Sequence, residues 1–184
     1  PVEVNGTQLS FLLDTGVSKP ILFNLTENDS IEVKNVSPIS IRGLGGDDPI
    51  TALHSVGNTF QIKNIFNPDQ ELYVVLDDAI NFSPSLGVDV NGIIGYDLFK
   101  GFIVEVNYSA KKLKFHRRDT YKEKKCKNCE KIPLDFYKRK PYVNTLVSFE
   151  SKEDIPAHLL VDSGSSDGLW LFEDEEEDIV LPNK

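Results

Sequence analysis

The sequence contains one short pattern twice, and this repetition constrains the fold more than any other feature. Asp14 follows the apolar run SFLL and is followed by Thr-Gly and a second apolar run. Asp162 follows AHLLV and is followed by Ser-Gly and, a few residues later, by LWLF. The two stretches align on their acids apart from a one-residue insertion. A duplicated unit is the economical explanation.

Each aspartate stands where a strand-like run ends. Asp and Gly are ordinary turn residues, so one such loop by itself also fits a plain turn. Two loops can place two carboxylates side by side at the bottom of a cleft between two lobes. There they share a proton, because like charges about 3 Å apart cannot both ionise cheaply. The hydroxyls of Thr15 and Ser163 can bond the opposite loop, while Gly16 and Gly164 let each chain turn with its amide close to the carboxylate.

Charge and composition exclude several partners. The chain has 184 residues and a net charge of −9, which argues against a nucleic-acid or anionic-membrane surface. No apolar run approaches the roughly 20 residues of a membrane span. The chain opens on Pro1 and contains no Met, which suggests a processed or trimmed chain. The location is not readable directly from the sequence; an extracytoplasmic one, with the targeting segment removed, is the expectation.

Strand signals dominate the chain and predict a mostly β fold. Short runs rich in Val, Ile, Phe and Tyr are separated by Gly, Asn, Asp and Pro; they include VEV, SFLLD, PILF, TFQIKNI and ELYVVLD. One hairpin is predicted with Asn5 and Gly6 as its turn, and another with a loop over residues 107–111. The helical signal is confined to residues 96–101.

The composition changes after His116 and suggests three parts. Residues 1–116 are predicted to form a first lobe, residues 117–131 a charged linker, and residues 132–184 the incomplete start of a second lobe. Cys126 and Cys129 lie in the linker. We expect a short surface disulfide or a pair of free thiols, because a zinc site would need a second pair of ligands at suitable spacing.

At its two aspartate loops the chain resembles the pepsin-like and retropepsin-like aspartic proteases. The sequences DTG at Asp14 and DSGSSDGLW at Asp162, which includes Ser165, are similar to the active-site loops of that family. The resemblance implies an acid-protease-like closed β-barrel lobe with one short helix, followed by the first strands of a second similar lobe.

Two further segments carry the resemblance. Ile93, Ile94 and Gly95 are similar to the segment that passes behind the first aspartate loop and precedes a short helix. Residues 40–50 lie where the family has its flap, a hairpin that closes over substrate. The flap residues implied are Gly43, Leu44, Gly45 and Gly46.

The resemblance implies an aspartic endopeptidase in which Asp14 and Asp162 activate a water molecule. It implies a peptide or protein substrate, no cofactor and no metal. Two alternatives stay open: a non-catalytic peptide-binding module, or an inactive fragment of a larger protease. An incomplete second lobe would also promote self-association through unpaired strand edges.

Val17 departs from the family pattern, since pepsins carry Ser at this place and retropepsins usually Ala. Ser165 can donate a hydrogen bond to Asp162, whereas Val17 cannot do so for Asp14. The sequence therefore predicts an activity profile centred at mildly acidic pH.

A serine-hydrolase interpretation fits the sequence less well. Ser166 lies in a Gly-x-Ser-x-Gly pattern after an apolar strand, as in a nucleophile elbow. In that fold the histidine follows the serine, whereas His54, His116 and His158 all precede it. The histidines are expected to be surface or packing residues, and the acidic run at 173–178 a solvated loop.

Overall fold

A computed structural model describes residues 1–25, 31–42, 49–76, 80–123, 125–148 and 154–171. The chain is mostly β, as the sequence predicts, and its largest element is a nearly closed, barrel-shaped sheet. Among the described residues both helices have only four residues, and neither is long enough to cross a membrane.

The barrel-shaped sheet contains eight strands. Their bounds are β1 (Val2–Val4), β2 (Thr7–Leu9), β3 (Phe11–Leu13), β4 (Ile21–Leu22), β5 (Val36–Ile41), β6 (Ile50–Ile62), β7 (Ile65–Val74) and β8 (Gly92–Ile94). The strand order is β2-β1-β6-β7-β4-β8-β3, and β5 pairs with β6. Most pairs are antiparallel, but β3 runs parallel to β8, so distant parts of the chain meet beside Asp14.

Both predicted hairpins are present. Asn5 and Gly6 connect β1 to β2, with φ angles of 48° and 88° that suit the turn of a tight hairpin. The second hairpin joins β9 (Phe102–Asn107) to β10 (Lys112–Arg117), and these two strands form a separate sheet. Helix α2 (Tyr96–Phe99) lies where helical signal was predicted.

Two local predictions were wrong. The run TFQIKNI was interpreted as one strand, but Lys63 has a φ of 52° and the chain turns there between β6 and β7. The structure also contains helix α1 (Ser83–Leu86), which the sequence did not predict. This helix has no side-chain cap hydrogen bond, and it ends at Gly87 with a φ of 66°. Its sequence therefore resembles an ordinary turn.

The strand that precedes Asp14 is packed on both faces. Leu13 and Ile94 contact the first core cluster, which includes Val4, Leu22 and Leu72, while Leu12 and Ile93 contact the second, which includes Phe23 and Val75. Because β3 and β8 lie between two cores, their sequences are continuously apolar rather than alternating. This packing fixes the position at which the chain leaves β3 and enters the first aspartate loop.

The later part of the chain forms a separate three-stranded antiparallel sheet. It contains β11 (Asp135–Tyr137), β12 (Lys140–Val147) and β13 (Ile155–Leu160), in that order. Between the two parts, Cys126 and Cys129 form a disulfide, one of the two states expected. The boundaries at 116 and 131 remain a prediction.

Candidate active site

The two aspartate loops follow β3 and β13 and meet. Asp14 comes directly after β3, and its backbone amide donates a hydrogen bond to the carbonyl of Ile94 at 3.0 Å. Asp162 comes two residues after the end of β13. The carboxyl groups of Asp14 and Asp162 lie close together, since a Cβ at Gly16 would be 3.1 Å from Asp14 Oδ1 and 2.9 Å from Asp162 Oδ2.

Reciprocal hydrogen bonds join the loops. The Thr15 amide donates to Ser163 Oγ at 3.2 Å, and the Ser163 amide donates to Thr15 Oγ1 at 3.0 Å. Each hydroxyl also donates across to the carbonyl that precedes the opposite aspartate. Thr15 Oγ1 reaches Val161 at 2.5 Å, and Ser163 Oγ reaches Leu13 at 3.1 Å. The arrangement has an approximate two-fold symmetry that relates one loop to the other.

The glycines of the two loops hold the carboxylates in place with their amides. Gly16 N donates to Asp14 Oδ1 at 2.6 Å, and Gly164 N donates to Asp162 Oδ1 at 2.8 Å. Each glycine also faces the opposite aspartate. A Cβ at Gly16 would lie 2.9 Å from Asp162 Oδ2, and one at Gly164 would lie 2.6 Å from Asp14 Oδ2. A larger residue at either position would push the carboxyl groups apart.

Strand β8 supports the first loop from behind. Leu12 and Leu13 pair with Ile93 and Ile94, and the chain then continues through Gly95 into α2. A Cβ at Gly95 would collide with the carbonyl oxygens of Asp14 and Val17. The close approach explains why the Ile-Ile segment ends in glycine.

The electrostatics of the site favour one proton held between the two carboxyls. The pKa of Asp14 is raised from 3.8 to about 6, chiefly by burial and further by the hydrogen bond to Asp162 and the charge of Asp162. The Gly16 amide and the charge of Lys140 oppose this rise. Asp14 is therefore protonated at mildly acidic pH, when an ordinary exposed aspartate is ionised.

The expected hydrogen bond from Ser165 to Asp162 is not among those of the described residues. Ser165 Oγ instead accepts a hydrogen bond from the Asp167 amide at 3.2 Å, because the loop turns back on itself there. Val17 packs with the second core cluster, and its carbonyl accepts a hydrogen bond from the Tyr96 amide at 2.9 Å. The chain thus uses position 17 for packing and backbone support.

Other residues singled out in the sequence have different positions. The flap residues Gly43, Leu44, Gly45 and Gly46 lie outside the described residues, as does the acidic run at 173–178. Strands β5 and β6 pair up to Ile41 and Ile50, on either side of the predicted flap.

The histidines contact aromatic rings. His54 lies against Tyr73, His116 against Tyr121 and His158 against Tyr142. No helix follows Ser166 in the described residues up to 171, whereas a nucleophile elbow leads into one.

Sequence reasoning missed Lys140, whose charge acts on Asp14 from the first position of β12. It also missed the carbonyls of Leu13 and Val161 as acceptors for the loop hydroxyls. A backbone carbonyl carries no side-chain signal, and the position of Lys140 depends on how the two sheets meet.

Comparison with known proteins agrees with this geometry. The sequence model described as aspartyl protease matches residues 1–98, which is more than half of the chain. The protein belongs to the aspartyl protease family, of the retropepsin-like type. The matched region includes Asp14 and the segment that ends at Gly95, whereas Asp162 lies beyond it. A comparison with curated proteins finds no significant match. Family membership supports a protease-like function and suggests a hydrolase.

Proposed function

We propose that this protein is an aspartic endopeptidase, and that Asp14 and Asp162 form its catalytic pair. The observation that carries the proposal is the meeting of two carboxyl groups on loops that bond each other reciprocally. Loops held in this way are preorganised, so little rearrangement is needed when a substrate binds.

The raised pKa of Asp14 supports a role for this residue as the proton donor, because Asp14 holds a proton at mildly acidic pH. Asp162 then acts as the general base. Asp162 takes a proton from a water molecule as its oxygen attacks the scissile carbonyl carbon, and Asp14 donates its proton to the carbonyl oxygen. The product of this step is a tetrahedral diol. Its C–N bond then breaks as Asp162 gives its proton to the leaving nitrogen and Asp14 takes back a proton from one diol hydroxyl, which restores the pair.

Specificity would come from an extended peptide that pairs like a strand beneath the flap. Strands β5 and β6 carry Ile41 and Ile50, which pack, as Val17 does, against the second core cluster. The Val17 amide donates to the Asp14 carbonyl at 3.4 Å, so this apolar cluster reaches the first aspartate loop and favours apolar residues in the substrate on either side of the cleaved bond.

The test compares Asp14→Asn and Asp162→Asn with wild type in cleavage of a mixed peptide library. We expect each variant to lose at least about 100-fold in kcat/KM, because each removes one proton-transfer group. Asp89→Asn provides the matched control, since Asp89 is exposed and lies outside both loops.

A statine-type peptide, which imitates the tetrahedral diol, should inhibit wild type and bind both Asn variants more weakly. Retained cleavage in either Asn variant would refute the pair. Wild-type protein that binds peptides without cleaving them would instead support a peptide-binding module.

A further inference from the structure

A large groove borders the barrel-shaped sheet, and Asp14 is not among the residues that line it. It has a volume of about 1430 Å³ and is bordered by β1, the β6–β7 turn and the β9–β10 hairpin. Leu13 and Ile94 line it from behind the aspartate loop. We call this feature the basal groove; its floor is apolar and includes Val2, Phe11, Leu13, Leu98, Phe102 and Phe115.

The rim of the basal groove is cationic although the whole chain is acidic. Lys63, Lys111, Lys112 and Arg118 line it, and none of them takes part in the ion pairs found among the described residues. Two acidic residues, Glu3 and Asp119, also line the groove, so the cations outnumber the anions. Arg117 also lines the groove, but it pairs with Asp119. A cluster of positive charge on a chain of net charge −9 favours a negatively charged occupant.

The ends of two sheets border the groove. Strand β2, which contributes Gln8, is the last strand at its end of the barrel sheet. Strand β10, which contributes Leu113 and Phe115, pairs only with β9 among the described residues. The outer edges of such strands present backbone amides and carbonyls that can pair with an added strand.

The size of the groove distinguishes between classes of occupant. Small-molecule pockets have volumes of about 300 to 1000 Å³, and the basal groove exceeds this range. A second cavity, of about 310 Å³, shares Leu13 and Leu113 with it and extends the apolar surface as far as Thr15 and Ser163. A long apolar floor beside strand edges suits an extended peptide.

We propose that the basal groove binds an extended peptide segment of another protein in which apolar and acidic residues alternate. Successive side chains of a strand point to opposite faces. Alternation therefore directs the apolar side chains to the floor and the carboxylates to the lysines and arginine of the rim. This binding is separate from peptide cleavage, because the Asp14 carboxyl does not line the groove.

The test uses the 184-residue chain and a fluorescein-labelled peptide of alternating Val and Glu, with binding followed by fluorescence anisotropy at low and high salt. The comparison peptides are an alternating Val and Lys peptide and a peptide with the same Val and Glu content in two blocks. We expect the alternating acidic peptide to bind most tightly, and its affinity to fall as salt screens the rim.

The variants test the rim and the floor separately. Lys112→Glu combined with Arg118→Glu should weaken binding by about tenfold or more. Leu113→Asn should also weaken peptide binding, because it removes an apolar side chain without changing the charge. Leu113 is 46% exposed, so the fold should tolerate the substitution. The matched control combines Lys34→Glu with Lys127→Glu, which makes the same change in net charge at exposed positions outside the groove. This control should bind within about twofold of wild type, as expected for screened surface charges.

Several results would overturn the proposal. Equal binding of the acidic and basic peptides would contradict it. Loss of binding in the presence of a statine-type peptide would also contradict it, because that result would locate binding at the aspartate pair. If wild type sediments as a dimer and the Leu113→Asn variant as a monomer, the occupant of the groove would be a second copy of this chain. Tighter binding to phosphatidylserine vesicles than to the peptide would indicate a lipid surface. If the peptide binds only after the acidic residues at 173–178 have been replaced by neutral ones, that run of the chain itself would be the occupant of the groove.

Discussion

Replacing Asp14 with Asn tests whether this carboxyl titrates in the fold as the site geometry requires. Its pKa is about 6 in the folded protein and 3.8 in the reference state. Between these two values the folded protein binds more protons than the unfolded chain, so stability falls as pH rises. The contribution of Asp14 is most favourable below pH 3.8 and has been lost once the pH has passed about 6.

The expected magnitude follows from the shift. A difference of about two pKa units corresponds to about 3 kcal/mol, since each unit is worth 1.36 kcal/mol. Asp14 is only partly buried, and solvent screening reduces the expected effect to about 1 to 2 kcal/mol. Asn at position 14 cannot ionise, although its side-chain oxygen can still accept the hydrogen bond from the Gly16 amide.

The assay is urea-induced unfolding of wild type and Asp14→Asn in a series from about pH 4 to about pH 7. Wild type should lose about 1 to 2 kcal/mol relative to Asp14→Asn across this range. The exposed Asp89→Asn variant should follow the pH dependence of wild type. Parallel curves for wild type and Asp14→Asn would refute the inference that Asp14 is buried as a protonated group.

Three further substitutions test how the loops are built. Gly164→Ala should abolish peptide cleavage and lower the free energy of unfolding by about 1 to 3 kcal/mol. Gly168→Ala, whose added Cβ would lie in open space, should preserve cleavage. Equal cleavage by the two variants would contradict the close approach of Gly164 to Asp14. Thr15→Val should lose two hydrogen bonds, so its free energy of unfolding in urea should fall by about 1 to 3 kcal/mol. Thr15→Ser should retain most of this stability. An unchanged stability of the valine variant would show that the hydroxyl does not hold the loops together. Val17→Ser should shift the alkaline limb of the kcat/KM profile by about one pH unit toward acid, because a serine hydroxyl can donate a hydrogen bond to ionised Asp14. Val17→Ala is the control that lacks a hydroxyl. Coincident pH profiles of wild type and Val17→Ser would show that this position does not set the pKa of Asp14.

Much of the barrel-shaped sheet could be predicted from local sequence. The Asn5-Gly6 pair indicates its hairpin because both residues tolerate positive φ, and short runs of β-branched and aromatic residues indicate most strands. Helix α1 was not predicted, because it is only one turn long and no side chain caps its N-terminus. The turn at Lys63 was missed because a lysine with positive φ is unusual, and the hydrophobic run continues across it.

For the candidate site, the sequence indicates the two loops but not their geometry, and the roles of the site residues stay a prediction. The repeated Asp-Thr/Ser-Gly pattern indicates a pair of loops, and the Ile-Ile-Gly segment indicates the place of Gly95 behind the first of them. The exchange of hydrogen bonds between Thr15 and Ser163 joins residues 148 positions apart, and the influence of Lys140 arises from a different sheet. Local propensity carries no information on such distant contacts.

The most direct test of the central claim is carbon-13 NMR of aspartate-labelled protein, in which the Asp14 carboxyl carbon is followed through a pH titration. In wild type its signal should change with a midpoint near pH 6. In Asp162→Asn the midpoint should fall toward acid, because the substitution removes the hydrogen bond and the charge that help to raise this pKa. A midpoint that stays the same in both proteins would contradict a proton shared between Asp14 and Asp162.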